Sequence, residues 1–323
     1  MDYRTLPNTD LSVSSVCLGT AELGSVVPEA DAFRLLDAFV ERGGNFLDTA
    51  AVYANWIPGE RNVSEKTIGR WLRERGNRED VVVATKGAHP DLATMDVPRL
   101  SPAEIGADVD ASLSHLQVDV IDLYYLHRDD RTRPVEEIME TLHDQVKAGR
   151  LRYVACSNWR ADRIAAAQAY AAEQGFRGFV ADQMLWNVAV VDPSAVSGQG
   201  VVVMDEALHR LHAEIGMAAV PFSSQAGGLF QKLASGGQAM VKQGLRLTYP
   251  LGRNLKRFER IQSVVTETGL TISQVVLGYL LSQPFVTVPI VGCKTQAHLR
   301  DTMDAAAVTL TCEQVAYLER ASD

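Results

Sequence analysis

The stretch Asn45-Phe46-Leu47-Asp48-Thr49-Ala50-Ala51-Val52-Tyr53 decides how the rest of the chain is read. It follows a Gly43-Gly44 break, opens on apolar Phe46 and Leu47, turns polar at Asp48 and reaches a tyrosine five residues later. A buried strand ending in a carboxylate, with a phenol in the next loop, is how a parallel α/β barrel presents reactive groups at its C-terminal rim. Two later apolar runs behave alike: VVVATK ends in Lys86 and VIDLYYLH ends in His127. Asp48, Tyr53, Lys86 and His127 therefore stand at or just past the ends of expected strands 2, 3 and 4. If the strands are parallel and sequential, the four side chains converge on one patch.

Outward from this stretch the same alternation repeats. A turn-rich Pro7-Asn8-Thr9-Asp10 between Tyr3–Leu6 and Leu11–Val13 predicts an N-terminal β-hairpin that plugs the barrel bottom. Strand 1 is expected over Val13–Leu18 and strand 2 after Gly44. Phe33, Leu36 and Val40 space the stripe of a helix over Asp31–Arg42, and Ser64 is expected to cap the next helix, stopped by Gly76. Strand 3 covers Val81–Thr85. Ser101-Pro102-Ala103-Glu104 is a capping box, and strand 4 covers Val120–Leu126. Pro134 opens a helix carried by Val135, Ile138, Leu142 and Val146. Strand 5 covers Tyr153–Cys156, strand 6 Phe179–Gln183 and strand 7 Ala218–Phe222. The Gly-, Ser- and Lys-rich stretch from Ser223 to about Gly252 reads as a long irregular loop at the rim. Two helices, strand 8 over Val286–Val291 and a Thr311-capped final helix complete the chain. Eight strand–helix units predict an α/β (β/α)8 TIM barrel forming a single domain over 1–323. A doubly wound sheet is the runner-up, weakened because neither GxGxxG nor GxxxxGK[ST] occurs.

A hydrophobic content of 46% with 22% charged residues suits a soluble globular protein, and a net charge of −9 argues against nucleic acid or an anionic membrane as partner. MDYRTLPNTD has no apolar core or basic flank, so a cytoplasmic protein without a signal peptide is expected. Cys17, Cys156, Cys293 and Cys312 form no CxxC pair and are expected as buried or half-buried thiols.

The rim chemistry follows from the residue types. A phenol is a poor acid at neutral pH, and a nearby Lys86 is expected to lower the Tyr53 pKa. Asp48 would keep Lys86 charged and oriented, and His127 would position a substrate oxygen. Together this is equipment for protonating a carbonyl oxygen while another group delivers hydride.

These stretches resemble the aldo-keto reductase family. GGNFLDTAxVY, VVVATKG and IDLYYLHRxD carry the resemblance, and GRLRYVACSNW, ADQMLWN, VPFSSQAGGLF and PIVGCKT extend it over nearly the whole chain. The resemblance implies a (β/α)8 barrel that binds NADPH, with NADH possible, and reduces an aldehyde, ketone or sugar carbonyl to an alcohol or runs the reverse. It assigns Tyr53 as general acid, Lys86 and Asp48 as tuning groups and His127 as the orienting group. It places Ser157, Asn158 and Gln183 on the nicotinamide carboxamide and Phe222 under the ring. Ser223, Ser224, Gln225, Gly227, Gly228 and Leu229 would wrap the pyrophosphate. Gly292, Cys293, Lys294, Thr295, His298, Asp301 and Thr302 would surround the adenosine end. His298 and Thr302 depart from the family's usual Gln or Arg and Asn, and Lys294 stands where Arg is frequent.

Trp56 either walls the substrate pocket or anchors its loop. With Glu60 and Arg61 it suits a sugar or polyol substrate. His209 and His212, three apart beside Asp205 and Glu206, form a conceivable metal pair, but a solvated polar helix face is expected and no metal is assigned. Trp186 is expected to pack near the rim. The family also contains potassium-channel β-subunits, so a cofactor-binding regulatory module is the alternative to an enzyme. A glycosidase or lyase is third, because no facing pair of acids appears. Oligomeric state is not legible in the sequence.

Overall fold

The computed structural model describes residues 1–320. A hairpin comes first, β1 (Tyr3–Thr5) pairing antiparallel with β2 (Ser12–Ser14). Next come β3 (Cys17–Gly19), α1 (Glu29–Glu41), β4 (Phe46–Asp48), α2 (Val63–Arg75), β5 (Val82–Gly87), α3 (Pro102–Leu116), β6 (Ile121–Leu126) and α4 (Val135–Lys147). β7 (Leu151–Ser157), α5 (Ala161–Gln174), β8 (Phe179–Gln183), α6 (Ser194–Ser197), α7 (Glu206–Ile215) and β9 (Ala218–Ala219) follow. The chain ends through α8 (Leu229–Gly236), α9 (Gln243–Thr248), α10 (Leu251–Thr268), α11 (Ile272–Leu281), β10 (Ile290–Gly292), α12 (Gln296–Ala305) and α13 (Cys312–Glu319).

The parallel sheet runs β10-β3-β4-β5-β6-β7-β8-β9. Backbone bonds close it: Ala219 N–H donates to Val286 O at 2.9 Å, Val288 N–H to Ala219 O at 2.8 Å and Ile290 N–H to Pro221 O at 2.9 Å. The result is the expected (β/α)8 barrel. Strand side chains alternate between its two faces. Cys17, Phe46, Ala84, Leu123, Tyr125, Ala155, Ala181, Ala218 and Val288 pack together as the barrel interior. Leu6, Leu11 and Val13 of the hairpin join that cluster, so the hairpin does plug one end. Burying each large side chain here stabilises the fold by roughly 1.5–3 kcal/mol. The other faces of the strands pack on the surrounding helices. Leu36 and Phe39 of α1, and Ile138 and Leu142 of α4, are fully buried, as their spacing requires.

Several boundaries differ from expectation. Val13 belongs to the hairpin, and the first barrel strand starts only at Cys17. Ser64 does not cap α2. Asn62 takes that place with φ +58°, and the buried Ser64 hydroxyl instead donates to Thr20 O at 2.8 Å. The stretch after strand 7 contains helices α8 and α9, and helix α12 after β10 was not foreseen. Cys312 is exposed, whereas the other three cysteines are buried and all four are free thiols. No single helix among the described residues is long and apolar enough to cross a membrane.

Candidate active site

The inward face of each strand carries the site to the C-terminal rim. Asp48 lies opposite Ala84 and Lys86 opposite Tyr125 in the sheet register, so both side chains point into the barrel mouth. Lys86 and Asp48 are each 1% exposed. Lys86 Nζ donates to Asp48 Oδ1 and Oδ2, both at 2.7 Å, and to Thr49 O at 2.8 Å. It stands 3.0 Å from the Tyr53 hydroxyl, which itself lies 3.3 Å from Asp48 Oδ2. Two charges taken this far from water are tolerated because each is paired and hydrogen-bonded. His127 follows β6, with its ring centroid 6.0 Å from that of Tyr53 and edge-on to it. The four residues expected to converge do so.

The electrostatics correct one expectation. Burial, then the Asp48 carboxylate, pushes the Tyr53 phenol well above its ordinary pKa, although Lys86 is adjacent. The ammonium is already shared with Asp48, so it does not act on the phenol alone. Burial also pushes the Lys86 ammonium down, against the opposing pull of Asp48. His127 is held well below the usual imidazole range by burial, then by Arg128 and Lys86. At neutral pH the site therefore holds a protonated phenol and a neutral imidazole.

The expected cofactor contacts divide into three clusters. Ser157 and Gln183 face each other across β7 and β8, and Asn158 follows with φ +61°. Asn158 Nδ2 donates to Ser157 Oγ at 2.9 Å and to His127 O at 3.3 Å, and its Oδ1 accepts from Val202 N–H at 3.1 Å. Gln183 Nε2 donates to Asp48 Oδ1 at 2.7 Å. Half-buried Phe222 heads the second cluster. There Ser223, Ala226, Gly227 and Gly228 all adopt positive φ, a turn that side chains resist and that presents backbone outward ahead of α8. Ser224 Oγ donates to Ile290 O, Gln225 accepts from Gln231 Nε2 at 3.0 Å and Leu229 is buried. In the third cluster Thr295 caps α12 by accepting from His298 N–H at 3.2 Å. Gly292, Lys294, His298 and Asp301 are exposed there, while Cys293 and Thr302 are buried against each other. Lys294 Nζ pairs with Glu22 at 2.7 Å. A turn of outward backbone and two helix N-termini beside one rim suit the phosphates of a dinucleotide.

Other expectations are corrected here. His212 is not solvated: it is fully buried on α7, 3.5 Å from Asp182 Oδ2. Glu60 turns away toward α2, where it pairs with Lys66 at 3.0 Å. Trp56 is 54% exposed, and its ring meets that of Tyr53 edge-on at 6.3 Å. Trp186 packs edge-on to Tyr279, as expected. Two residues of the site went unread in the sequence. His89, just past β5, packs its ring 4.8 Å from His127, and Arg128 donates from Nη1 to His127 O at 2.9 Å. The rule that strand ends face the site pointed to both, since each lies within three residues of one.

Comparison with known proteins agrees with this geometry. The model of the aldo/keto reductase family matches residues 15–323. The uncharacterized oxidoreductase YrpG of Bacillus subtilis (strain 168) is 32% identical over 318 residues, covering 97% of this chain and 93% of its own. Norsolorinic acid reductase B of Aspergillus parasiticus is 31% identical over 336 residues, covering 99% and 84%. The probable aryl-alcohol dehydrogenase AAD4 of Saccharomyces cerevisiae is 32% identical over 311 residues, covering 92% and 89%. The closed barrel, the lysine-centred rim and these similarities agree, and the chain belongs to the aldo/keto reductase family as an NAD(P)H-dependent oxidoreductase.

Proposed function

We propose that this protein reduces the carbonyl of a small aldehyde or ketone to an alcohol with NADPH, and runs the reverse reaction when alcohol and oxidised cofactor are in excess. The observation that carries this reading is the contact of one buried ammonium, Lys86, with both Asp48 and the Tyr53 hydroxyl. When bound, the reduced nicotinamide supplies the hydride. Tyr53 holds a proton at its hydroxyl and gives it to the carbonyl oxygen as charge develops there. Lys86 then lies 3.0 Å from the forming phenolate and stabilises it, while Asp48 keeps the ammonium in place. Neutral His127 positions the carbonyl oxygen by a hydrogen bond. Ser157, Asn158 and Gln183 support the carboxamide and Phe222 the ring face. The turn over Ser223, Ser224, Gln225, Gly227 and Leu229 supports the pyrophosphate, and the cluster around Gly292, Cys293, Thr295, Asp301 and Thr302 the adenosine. Trp56 walls the mouth beside Tyr53. The names of the relatives, reductases and aryl-alcohol dehydrogenases, support the same reaction class and favour aromatic carbonyls among the first compounds to try.

The test is a turnover screen over aldehydes and ketones with NADPH and NADH, followed on the absorbance of the reduced cofactor. Tyr53→Phe keeps the ring and removes the acid. It should retain NADPH binding while turnover falls about 100-fold or more, the scale of a lost general acid. Turnover near that of the wild type would sink the assignment.

A further inference from the structure

Arg128 is the next residue after His127, at the rim above β6. Among the described residues its hydrogen bond to the protein is the one from Nη1 to His127 O, and its Nε is buried without an acceptor. Gly200 packs against its stem, where an added Cβ would make an ordinary 3.5 Å contact with Cδ and Nε. The neighbouring acids are taken: Asp129 pairs with Arg163 at 3.0 Å, and Asp130 accepts from Thr132 N–H at 2.9 Å and faces Arg133. Among the described residues no carboxylate pairs with Arg128.

The groups around it leave its charge uncompensated. His89 Nδ1 donates to Pro90 O at 2.6 Å, and its ring packs on His127. Burial lowers the pKa of both imidazoles, and the Arg128 charge lowers them further, so both rings stay neutral beside it. Tyr53 is within reach of the same charge, which opposes the upward push of burial on its phenol. Lys86 is held by Asp48. A half-buried guanidinium without an anion is costly, and its planar fork is shaped for two carboxylate oxygens. The candidate phosphate sites do not explain it. They follow β9 and β10, which close against each other on the far side of the barrel from β6.

We infer that Arg128 anchors a carboxylate on the substrate, so that the site takes carbonyl compounds carrying an acid group, such as oxo acids and carboxylated aldehydes. This rests on the carbonyl chemistry proposed above. The anion would sit beside His127 and orient the carbonyl toward the Tyr53 hydroxyl. Glu60, turned to α2, does not oppose it.

The test compares matched substrates that differ in charge: 4-carboxybenzaldehyde against 4-methylbenzaldehyde, and succinic semialdehyde against butanal, each with NADPH. The wild type should favour the carboxylated member by tenfold or more in kcat/KM, mainly through KM. Arg128→Met should bring that ratio near one, and Arg128→Lys should give an intermediate value because it keeps charge without the fork. A wild-type ratio near one, or an unchanged ratio in Arg128→Met, overturns the inference. A second arm needs no turnover. Benzoate and benzamide are titrated against the NADP+-loaded protein by tryptophan fluorescence, and benzoate alone should bind, about tenfold more weakly in Arg128→Met. If no aldehyde is reduced yet benzoate binding depends on Arg128, the carbonyl chemistry fails and the anion anchor stands. A parallel loss of NADP+ affinity in Arg128→Met would place the residue on the cofactor and overturn the anchor.

Discussion

Gln183 Nε2 donates to Asp48 Oδ1 at 2.7 Å, joining the end of β8 to the end of β4 across the barrel mouth. Asp48 thus accepts from Lys86, Gln183 and Tyr53 together. The proposed carboxamide contact and the proposed proton-transfer group share this one carboxylate.

Gln183→Ala should therefore act on both. It removes one hydrogen bond to the carboxamide and one to the pair that holds Lys86. Each such bond contributes about 1 kcal/mol, so NADPH binding should weaken roughly fivefold. The value of kcat should also fall, since Lys86 is less firmly placed. Fluorescence titration and steady-state kinetics on the same preparation separate the two effects. Unchanged cofactor affinity would remove Gln183 from the carboxamide.

The pH profile follows from two opposite shifts. Reduction needs the protonated phenol, which persists below its pKa. Burial and Asp48 raise that pKa, so the basic limb moves upward. His127 must be neutral to position the carbonyl oxygen by the proposed bond, and its lowered pKa moves the acid limb downward. The kcat/KM for reduction should be flat from about pH 7 to 9, whereas ordinary values would bring limbs near each end. Alcohol oxidation needs the phenolate and should rise with pH throughout the same range. A basic limb of reduction centred near pH 7.5 contradicts the Tyr53 shift, and an acid limb centred there contradicts the His127 shift.

Much of this was legible in the chain. Phe46-Leu47-Asp48, the run ending in Lys86 and the run ending in His127 are buried strands whose polar ends must face the mouth, because no other part of a closed barrel accepts them. What was not legible depends on contacts distant in sequence. Whether Lys86 acts on Tyr53 or on Asp48 depends on where three strands place their ends. Ser64 looked like a cap because its hydroxyl is suited to one, yet Thr20 and Thr49 claim it inside the helix. The helices α8 and α9 lie in a Gly- and Ser-rich stretch whose local propensity is weak, and in α8 the packing of Phe230 and Leu233 overrides it. That Arg128 lacks an acidic partner is not legible in the sequence, where Asp129 and Asp130 follow it directly, because their pairing with Arg163 and Arg133 is set by the fold.

The His212–Asp182 pair makes a separate stability prediction. His212 Nδ1 stands 2.9 Å from Met217 O and donates to it, so Nε2 faces Asp182 Oδ2 at 3.5 Å. Both residues are fully buried, and neither of those two atoms has a hydrogen-bond partner among the described residues. Burial pushes the Asp182 carboxyl up, and the neighbouring His212 opposes that push. His212→Ala strands the carboxyl against Cys156 and should cost about 3 kcal/mol, the scale of a broken buried pair. His212→Ala with Asp182→Asn should recover part of that loss. Urea midpoints measure both, and a loss under about 1 kcal/mol would put this pair with exposed ones.

Cofactor choice turns on Lys294. NADPH differs from NADH by a phosphate carrying close to two charges on the adenosine ribose, and a site that prefers it needs cations there. Lys294 is exposed ahead of α12 and pairs with Glu22 at 2.7 Å. Both partners are substantially exposed, so the pair contributes at most about 1 kcal/mol and is readily exchanged for a doubly charged phosphate. The N-terminus of α12, capped by Thr295, adds a partial positive charge, and His298 and Arg300 stand on its first turns. Asp301 on the same helix opposes them. Lysine lacks the fork of arginine, so the preference should be modest. The kcat/KM ratio of NADPH to NADH should be roughly tenfold, the scale of one charge-assisted contact. Lys294→Ala should bring it toward one, and Glu22→Gln, which frees the ammonium, should raise it. A wild-type preference for NADH, or a ratio that Lys294→Ala leaves unchanged, would show that another group reads the phosphate.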